Sequence, residues 1–285
     1  MISIITTSYN YNEYISETIK SVLAQTYSDW ELIVVDDAST DESVNTIKSF
    51  CEDKRIKLIC HDKNKGLKKS IQTGLKYAKG EWIAFLESDD TLCPTALEER
   101  IKNCPENINF IFNSVNLIGE KDWIEEIQKQ VSKTEEELAK LSFPHNMFKM
   151  FDKKNPILTL SSVMIKKDLL IDELLNSPVD ALFDWWLYIN LSFKNEFYYL
   201  PQKLTNWRIH SNSYIKKPHK KHFCLVNVLA YVNIFKKNPS IDLLLFIVKC
   251  FFTMCFIRLR VYFIGFIRKI KTILGIKTKK SPLFD

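Results

Sequence analysis

Three clusters of polar residues near the start of the chain have types and spacing suited to nucleotide and metal chemistry. Glu87-Ser88-Asp89-Asp90 follows the apolar run Trp82–Leu86. A carboxylate-rich turn directly after a hydrophobic strand suits a hard divalent cation, because Mg2+ and Mn2+ favour carboxylate oxygens completed by substrate phosphates. The alternative is a solvated loop whose aspartates cap a helix. The second cluster, Asp36-Asp37, closes the run ELIVVD. A carboxylate there suits a nucleobase imide or ribose hydroxyls, or it caps the helix announced by Ser39-Thr40-Asp41. The third, Thr6-Thr7-Ser8-Tyr9-Asn10, closes the first apolar run. Tyr9 offers a ring that can pack on a base face.

These residues need a frame that brings strand ends together. Ile2–Thr6, Glu31–Asp36, Ile56–Cys60 and Trp82–Leu86 read as strands. Between them, Ile15, Ile19 and Val22 share a helical face in 13–25, Thr40–Cys51 reads as a helix, and Leu67, Ile71, Leu75 and Ala78 recur at helical spacing. Such alternation predicts an α/β fold, a mostly parallel sheet with helices on both faces. Ligands of such sheets sit beyond the carboxyl ends of the strands, where all three clusters lie. Further on, Asn109–Val115 and Ser161–Ile165 read as strands, 123–141 as a charged amphipathic helix or lid, Phe183–Leu191 as a helix, and Thr205–Ser213 as a loop or short strand.

Composition excludes several classes. The six glycines give neither G-x-G-x-x-G nor a P-loop. The seven cysteines are odd in number and none has C-x-x-C spacing, so reduced thiols in a cytosolic compartment are expected rather than a disulfide frame or zinc site. Of the net charge of +6, residues 241–285 carry nine Lys/Arg against two Asp/Glu, a local +7, leaving −1 for the rest. The basic excess belongs to the tail, which argues for an anionic surface there and against a nucleic-acid binder. Within 243–275, apolar and basic residues interleave as in an interfacial amphipathic helix; Lys249 interrupts the most apolar part.

The stretches ISIITTSYNYNEYISETIKSVLAQTYSDWELIVVDDASTDES and NKGLKKSIQTGLKYAKGEWIAFLESDDTLCP resemble the N-terminal signature of family 2 glycosyltransferases, with weaker likeness at 161–170, 183–191 and 207–213. The resemblance implies a GT-A fold, Rossmann-like with a mostly parallel central sheet, followed here by a C-terminal amphipathic helical tail. It implies two parts, 1–100 for nucleotide-sugar binding and 101–215 for acceptor binding and catalysis; the charge and apolar pattern of the tail, outside the resemblance, make 216–285 an expected membrane-associating part. It implies an inverting, hexosyltransferase-type reaction from a nucleotide-diphosphate sugar of UDP type, assisted by Mn2+ or Mg2+, onto a saccharide or lipid-linked saccharide. Such chemistry serves surface polysaccharide or glycolipid synthesis at the inner face of the cell membrane.

By the same resemblance, Thr7, Tyr9 and Asp37 contact the nucleoside, and Glu87-Ser88-Asp89 takes the place of the family's D-x-D with Asp89 on the metal. Asp184 matches the catalytic Asp of E-D-x-D-L-W-x-R-L, and His210 matches a loop histidine near the metal or diphosphate. The pattern is broken at Glu87, at Phe183 before the base, at Trp186 in place of the second acid, and at Ile71 where an Arg often approaches the diphosphate. Lys68 or Lys69 can replace that charge. Trp185 and Trp186 either stack on the acceptor sugar or belong to the core, and Asp184 is either a base or a helix cap. Two rival readings remain open: a sugar-phosphate nucleotidyltransferase, whose Gly-rich loop is missing, and an inactive binding subunit, favoured by Glu87 and Phe183.

Overall fold

The computed structural model describes residues 1–252 apart from 152, 153, 176, 181, 212, 214–219, 249 and 251. The chain divides into two compact units, 1–213 and 214–285. The first begins with β1 (Ile2–Ser8), α1 (Asn12–Leu23), β2 (Trp30–Asp36), α2 (Ser43–Lys48), β3 (Ile56–Cys60), α3 (Leu67–Tyr77) and β4 (Trp82–Phe85). Then come β5 (Thr91–Leu92), α4 (Ala96–Lys102), β6 (Phe110–Gly119), α5 (Lys121–Leu138), α6 (Phe148–Phe151), β7 (Val163–Lys166), α7 (Lys167–Leu175), α8 (Phe183–Lys194) and β8 (Tyr198–Ile209).

One eight-stranded sheet runs β3-β2-β1-β4-β7-β6-β8-β5. The first four strands are parallel neighbours, as the alternation predicts. The second half is mixed: β7 is antiparallel to β4 and β6, β6 and β8 are parallel, and β5 is antiparallel to β8. Strand alternation sorts the β1 side chains to two faces. Ile2 and Ile4 join Ile15, Ile19 and Val22 of α1 in one buried cluster. On the other face Ile5 meets α3 at Gly74, where an added Cβ would stand 2.7 Å from Ile5 Cγ2. The glycine lets that helix lie close to the strand.

The register aligns the motif ends. Ser8 pairs with Asp36, Asp36 with Cys60, and Ile5 with Phe85. On the far side Thr91 pairs with Asn206, which brings the turn after β4 against the end of β8. The segment 205–213, expected as a loop or short strand, is largely the last part of the 12-residue strand β8. The 123–141 segment is a helix, α5, whose buried Ile127 and Val131 cluster with Val115, Trp207 and Ile209 of β6 and β8.

In the second unit α9 (Lys220–Lys237) is followed by helical residues 241–248, and the rings of Tyr231 and Phe246 meet at 4.9 Å. Among the described residues no helix is long and apolar enough to cross a membrane. Most of the expected interfacial segment 243–275 lies outside the described residues.

Candidate active site

The rim begins with loops stitched to each other. Asn10 sits at φ 58. Its N–H donates to Ser39 Oγ at 2.9 Å and its side-chain oxygen accepts from the Thr40 N–H at 2.8 Å. Asp36 turns back to accept from the Ser39 N–H and hydroxyl, at 2.8 and 2.6 Å. These bonds set the end of β2 beside the end of β1, with Tyr9 exposed and Thr7 half-buried above the sheet.

Asp37 is buried and fully engaged. Its carboxylate accepts from the N–H groups of Lys65 and Gly66 at 2.8 and 2.7 Å, and lies 2.7 Å from His61 Nδ1. The other nitrogen of His61 lies 2.9 Å from Thr73 Oγ1 on α3. Burial pulls the Asp37 carboxyl upward, but the bonds from His61, Lys65 and Gly66 outweigh it and hold the group below its ordinary value. Gly66 adopts φ 84, a conformation that only glycine takes without strain, and this presents its N–H to Asp37. His61 was not singled out in the sequence; a histidine just past an apolar strand carries no motif of its own.

The acidic turn is held from three sides. From α1, the buried Thr18 hydroxyl lies 2.9 and 2.8 Å from the carbonyls of Ser88 and Asp90. From β8, the Arg208 N–H donates to Asp90 Oδ1 at 2.8 Å and Arg208 Nε to the Asp89 carbonyl at 2.8 Å. From the turn before β7, Ser161 Oγ donates to Asp90 Oδ2 at 2.6 Å, and Thr159 Oγ1 lies 2.8 Å from Glu87 Oε2 and 3.0 Å from Asp90 Oδ2. Asp90 is therefore a buried pivot, while Asp89 remains half-buried with its Oδ2 3.0 Å from His210 Nε2. The imidazole is flanked by the rings of Tyr14 at 5.2 Å and Tyr11 at 6.2 Å.

Negative charge is crowded here. Burial and then the charges of Asp89 and Asp184 push the Glu87 carboxyl up to about 7, against the hydrogen bond from Thr159. Asp90 is raised well above its ordinary value by burial, Asp89 and Glu87. Burial, Asp89, Glu87 and Asp90 also raise the Tyr11 phenol. The nearby guanidinium of Arg208 reaches the Asp89 carbonyl and Glu17 rather than these carboxylates. A divalent cation relieves such crowding. Asp89 supplies the carboxylate oxygen that Mn2+ and Mg2+ favour, and His210 adds an imidazole, a ligand that Mg2+ rarely takes. Among the described residues no three His, Cys, Asp or Glu side chains form a ready-made cage. The pair therefore fits a cation whose remaining ligands come from substrate phosphate and water, as is usual for these ions.

Asp184 stands in the first turn of α8, half-buried, and its charge bears on Glu87. The helix is entered through Leu182 in the left-handed region, φ 55 and ψ 36. This costs a non-glycine residue about 1–3 kcal/mol, and such strain concentrates at functional sites. Trp185 and Trp186 are buried, Trp186 with 0% exposure, so the core alternative describes Trp186 and leaves no indole face for an acceptor sugar. Lys68 is not a free charge: its Nζ meets Asp180 Oδ1 at 2.6 Å and the Ser177 carbonyl at 3.2 Å, while Lys69 is exposed and Ile71 lies in the core.

Thr159, Ser161 and Arg100 also serve the site without any motif in the sequence. Arg100 is completely buried and donates to Asn113 Oδ1, the Ser161 carbonyl and Thr205 Oγ1 at 2.8, 2.9 and 3.0 Å. Ser161 thus carries Arg100 on its carbonyl and Asp90 on its hydroxyl. No local signal marks these residues, because their roles arise from the strand order.

A sequence model described as Glycosyl transferase family 2 matches residues 3–173. An uncharacterized glycosyltransferase of Rickettsia conorii is 33% identical over 237 residues, covering 81% of this chain and 37% of that protein. The Escherichia coli protein named UDP-Glc:alpha-D-GlcNAc-diphosphoundecaprenol beta-1,3-glucosyltransferase WfgD is 42% identical over 120 residues, 42% of this chain and 47% of its own. The chain thus spans less than half the length of either relative. Among solved structures, S. aureus TarS 1-349 in complex with UDP superposes with a TM-score of 0.59 at 20% identity, covering 84% of this chain and 67% of that one. The mannosyltransferase PcManGT from Pyrobaculum calidifontis, in complex with GDP-Man and Mn2+, gives 0.58 at 15% identity, covering 87% and 68%.

Proposed function

This chain belongs to glycosyl transferase family 2 and has its GT-A fold, and we propose that it transfers a sugar, with inversion, from a UDP-sugar to a hydroxyl of a saccharide or lipid-linked saccharide. The observation that carries the reading is the pairing of Asp89 with His210 at the acidic turn, where the charges of Asp89 and Asp184 bear on Glu87. The donor class is supported by the UDP-Glc in the name of WfgD and the UDP bound to TarS. UDP-glucose is accordingly the first candidate.

In this reading Tyr9 packs on the base. Thr7 and the Asp37 turn border the nucleoside, and Glu87 and Ser88 border the ribose. Asp89 and His210 would hold Mn2+ or Mg2+, which would supply positive charge against the leaving diphosphate. Asp184 takes the proton of the acceptor hydroxyl as it attacks the anomeric carbon from the face opposite the diphosphate. A positioned general base contributes about 10²–10⁴ in rate. His61 and Thr159 act behind these groups, the first on the Asp37 turn and the second on Glu87.

The tail is proposed to rest on the inner, cytoplasmic face of the membrane, where a lipid-linked acceptor would lie. In its described part Ile241, Leu244, Leu245, Val248 and Phe252 are exposed, and they recur at helical spacing. The division of labour between 1–100 and 101–215 follows from the same reading, with nucleotide residues before residue 100 and the base beyond it.

The test is a donor screen. The purified chain is incubated with each nucleotide sugar and Mn2+ or Mg2+, and release of nucleoside diphosphate is scored. Release from a UDP-sugar supports the proposal; a chain that binds donors without turning any over would be a binding subunit.

A further inference from the structure

One helical turn beyond the proposed base stands a tyrosine with no part in the scheme above. Tyr188 follows Asp184 by four residues on α8, so the two side chains leave the same face of the helix. Aromatic side chains on a helix lean toward its N-terminus, which carries the Tyr188 ring back toward Asp184. The ring is completely enclosed, edge-on to Phe110 at 5.6 Å and tilted against Phe151 at 5.9 Å. Its hydroxyl is buried and makes no hydrogen bond among the described residues.

Phenylalanine would fill the same aromatic pocket without burying an unpaired hydroxyl, which destabilises a fold. The hydroxyl needs a partner in the working enzyme. Two carboxylates bear on it: after burial, the charges of Asp184 and then Glu87 raise the phenol well above its ordinary value. We infer that Tyr188 is a positioning residue for Asp184: when substrates occupy the site its hydroxyl donates to the Asp184 carboxylate and fixes which oxygen meets the acceptor hydroxyl. This rests on the reading of Asp184 as the base.

The experiment measures kcat and KM for nucleoside diphosphate release by the full chain with Mn2+. The donor is the nucleotide sugar the wild type turns over, UDP-glucose first. Wild type, Tyr188→Phe, Asp184→Asn and the double variant are compared, with melting temperatures alongside. Tyr188→Phe is expected to melt no lower than wild type, to keep its donor KM, and to lose about tenfold in kcat, the size of one hydrogen bond to a charged group. In the Asp184→Asn background the same change is expected to have no further effect, because the hydroxyl acts through that carboxylate. The inference is overturned by an unchanged kcat in Tyr188→Phe, by an equal fall in both backgrounds, or by a loss that tracks a lowered melting temperature. If Asp184→Asn itself turns over normally, or the wild type turns over no nucleotide sugar, the underlying reading fails as well. With Asp184→Asn impaired and Tyr188→Phe at wild-type kcat, only the role of Tyr188 fails.

Discussion

His210 Nε2 and Asp89 Oδ2 meet at 3.0 Å across 121 residues of chain. The contact exists because β8 runs along β6 and turns its last residues toward β5, so that Arg208 fastens the acidic turn and His210 faces it. A turn and a strand end far apart in sequence thus offer one carboxylate and one imidazole to each other.

From this pair follows the first prediction. Asp89→Ala is expected to lose nearly all turnover and most metal-dependent donor binding while keeping its melting temperature, since Asp90 and not Asp89 holds the turn together. Mn2+-dependent thermal shift with UDP, beside product release, checks it. Full activity after exhaustive chelation would count against the metal assignment.

The second concerns Asp184. Asp184→Asn keeps the shape of the side chain and cannot take up the proton. Donor binding is expected to stay normal while turnover falls by about two to four orders of magnitude. Poor donor binding, or near-normal turnover, would make Asp184 a structural residue.

A third prediction uses the Asp37 carboxyl, which the fold holds below its ordinary value of 3.8 against the opposing effect of burial. A group depressed on folding contributes stability that is present above its unfolded value and lost as pH falls through the folded one. Asp37→Asn removes one acceptor from the Lys65–Gly66 turn and is expected to cost about 1–3 kcal/mol at pH 7. The gap to wild type is expected to narrow below about pH 4. Urea unfolding at pH 7 and pH 3 measures it, and a gap that widens on acidification would contradict this account of Asp37.

The tail supplies the fourth. A chain ending at Ser240 lacks both the exposed apolar residues from Ile241 onward and the tail's basic excess. It is expected to stop sedimenting with anionic vesicles, and the full chain's binding is expected to weaken with salt, since each Lys or Arg near such a surface adds about 1 kcal/mol. Equal vesicle binding by both chains would remove the membrane from the account.

The parallel half of the fold was legible because each rim residue there follows an unbroken apolar strand. ELIVVD and WIAFL announce both the strand and the carboxylates at its end. The second half hid its longest strand. In β8 the register jumps from Asn113↔Leu200 to Ser114↔Lys203, so Pro201 and Gln202 bulge outward and break the alternation from which a strand is read. Only its end, with Trp207 and Arg208 and with His210 just beyond it, is legible in the sequence. Thr159 and Ser161 could not be read as site residues at all. They are ordinary hydroxyls until the antiparallel insertion of β7 between β4 and β6 sets their turn under Glu87 and Asp90. For Trp186 the sequence left sugar stacking and a core role equally open, and its side chain is completely buried.

The most direct test of nucleotide-sugar transfer at this rim is metal-dependent release of nucleoside diphosphate by the full chain across a panel of nucleotide sugars, with detergent-solubilised lipid-linked saccharides as acceptors. The account predicts release from a UDP-sugar that stops on chelation, returns with Mn2+ and falls by about two to four orders of magnitude in Asp184→Asn. Release from no nucleotide sugar, or release that persists unchanged in chelator and in Asp184→Asn, would contradict it.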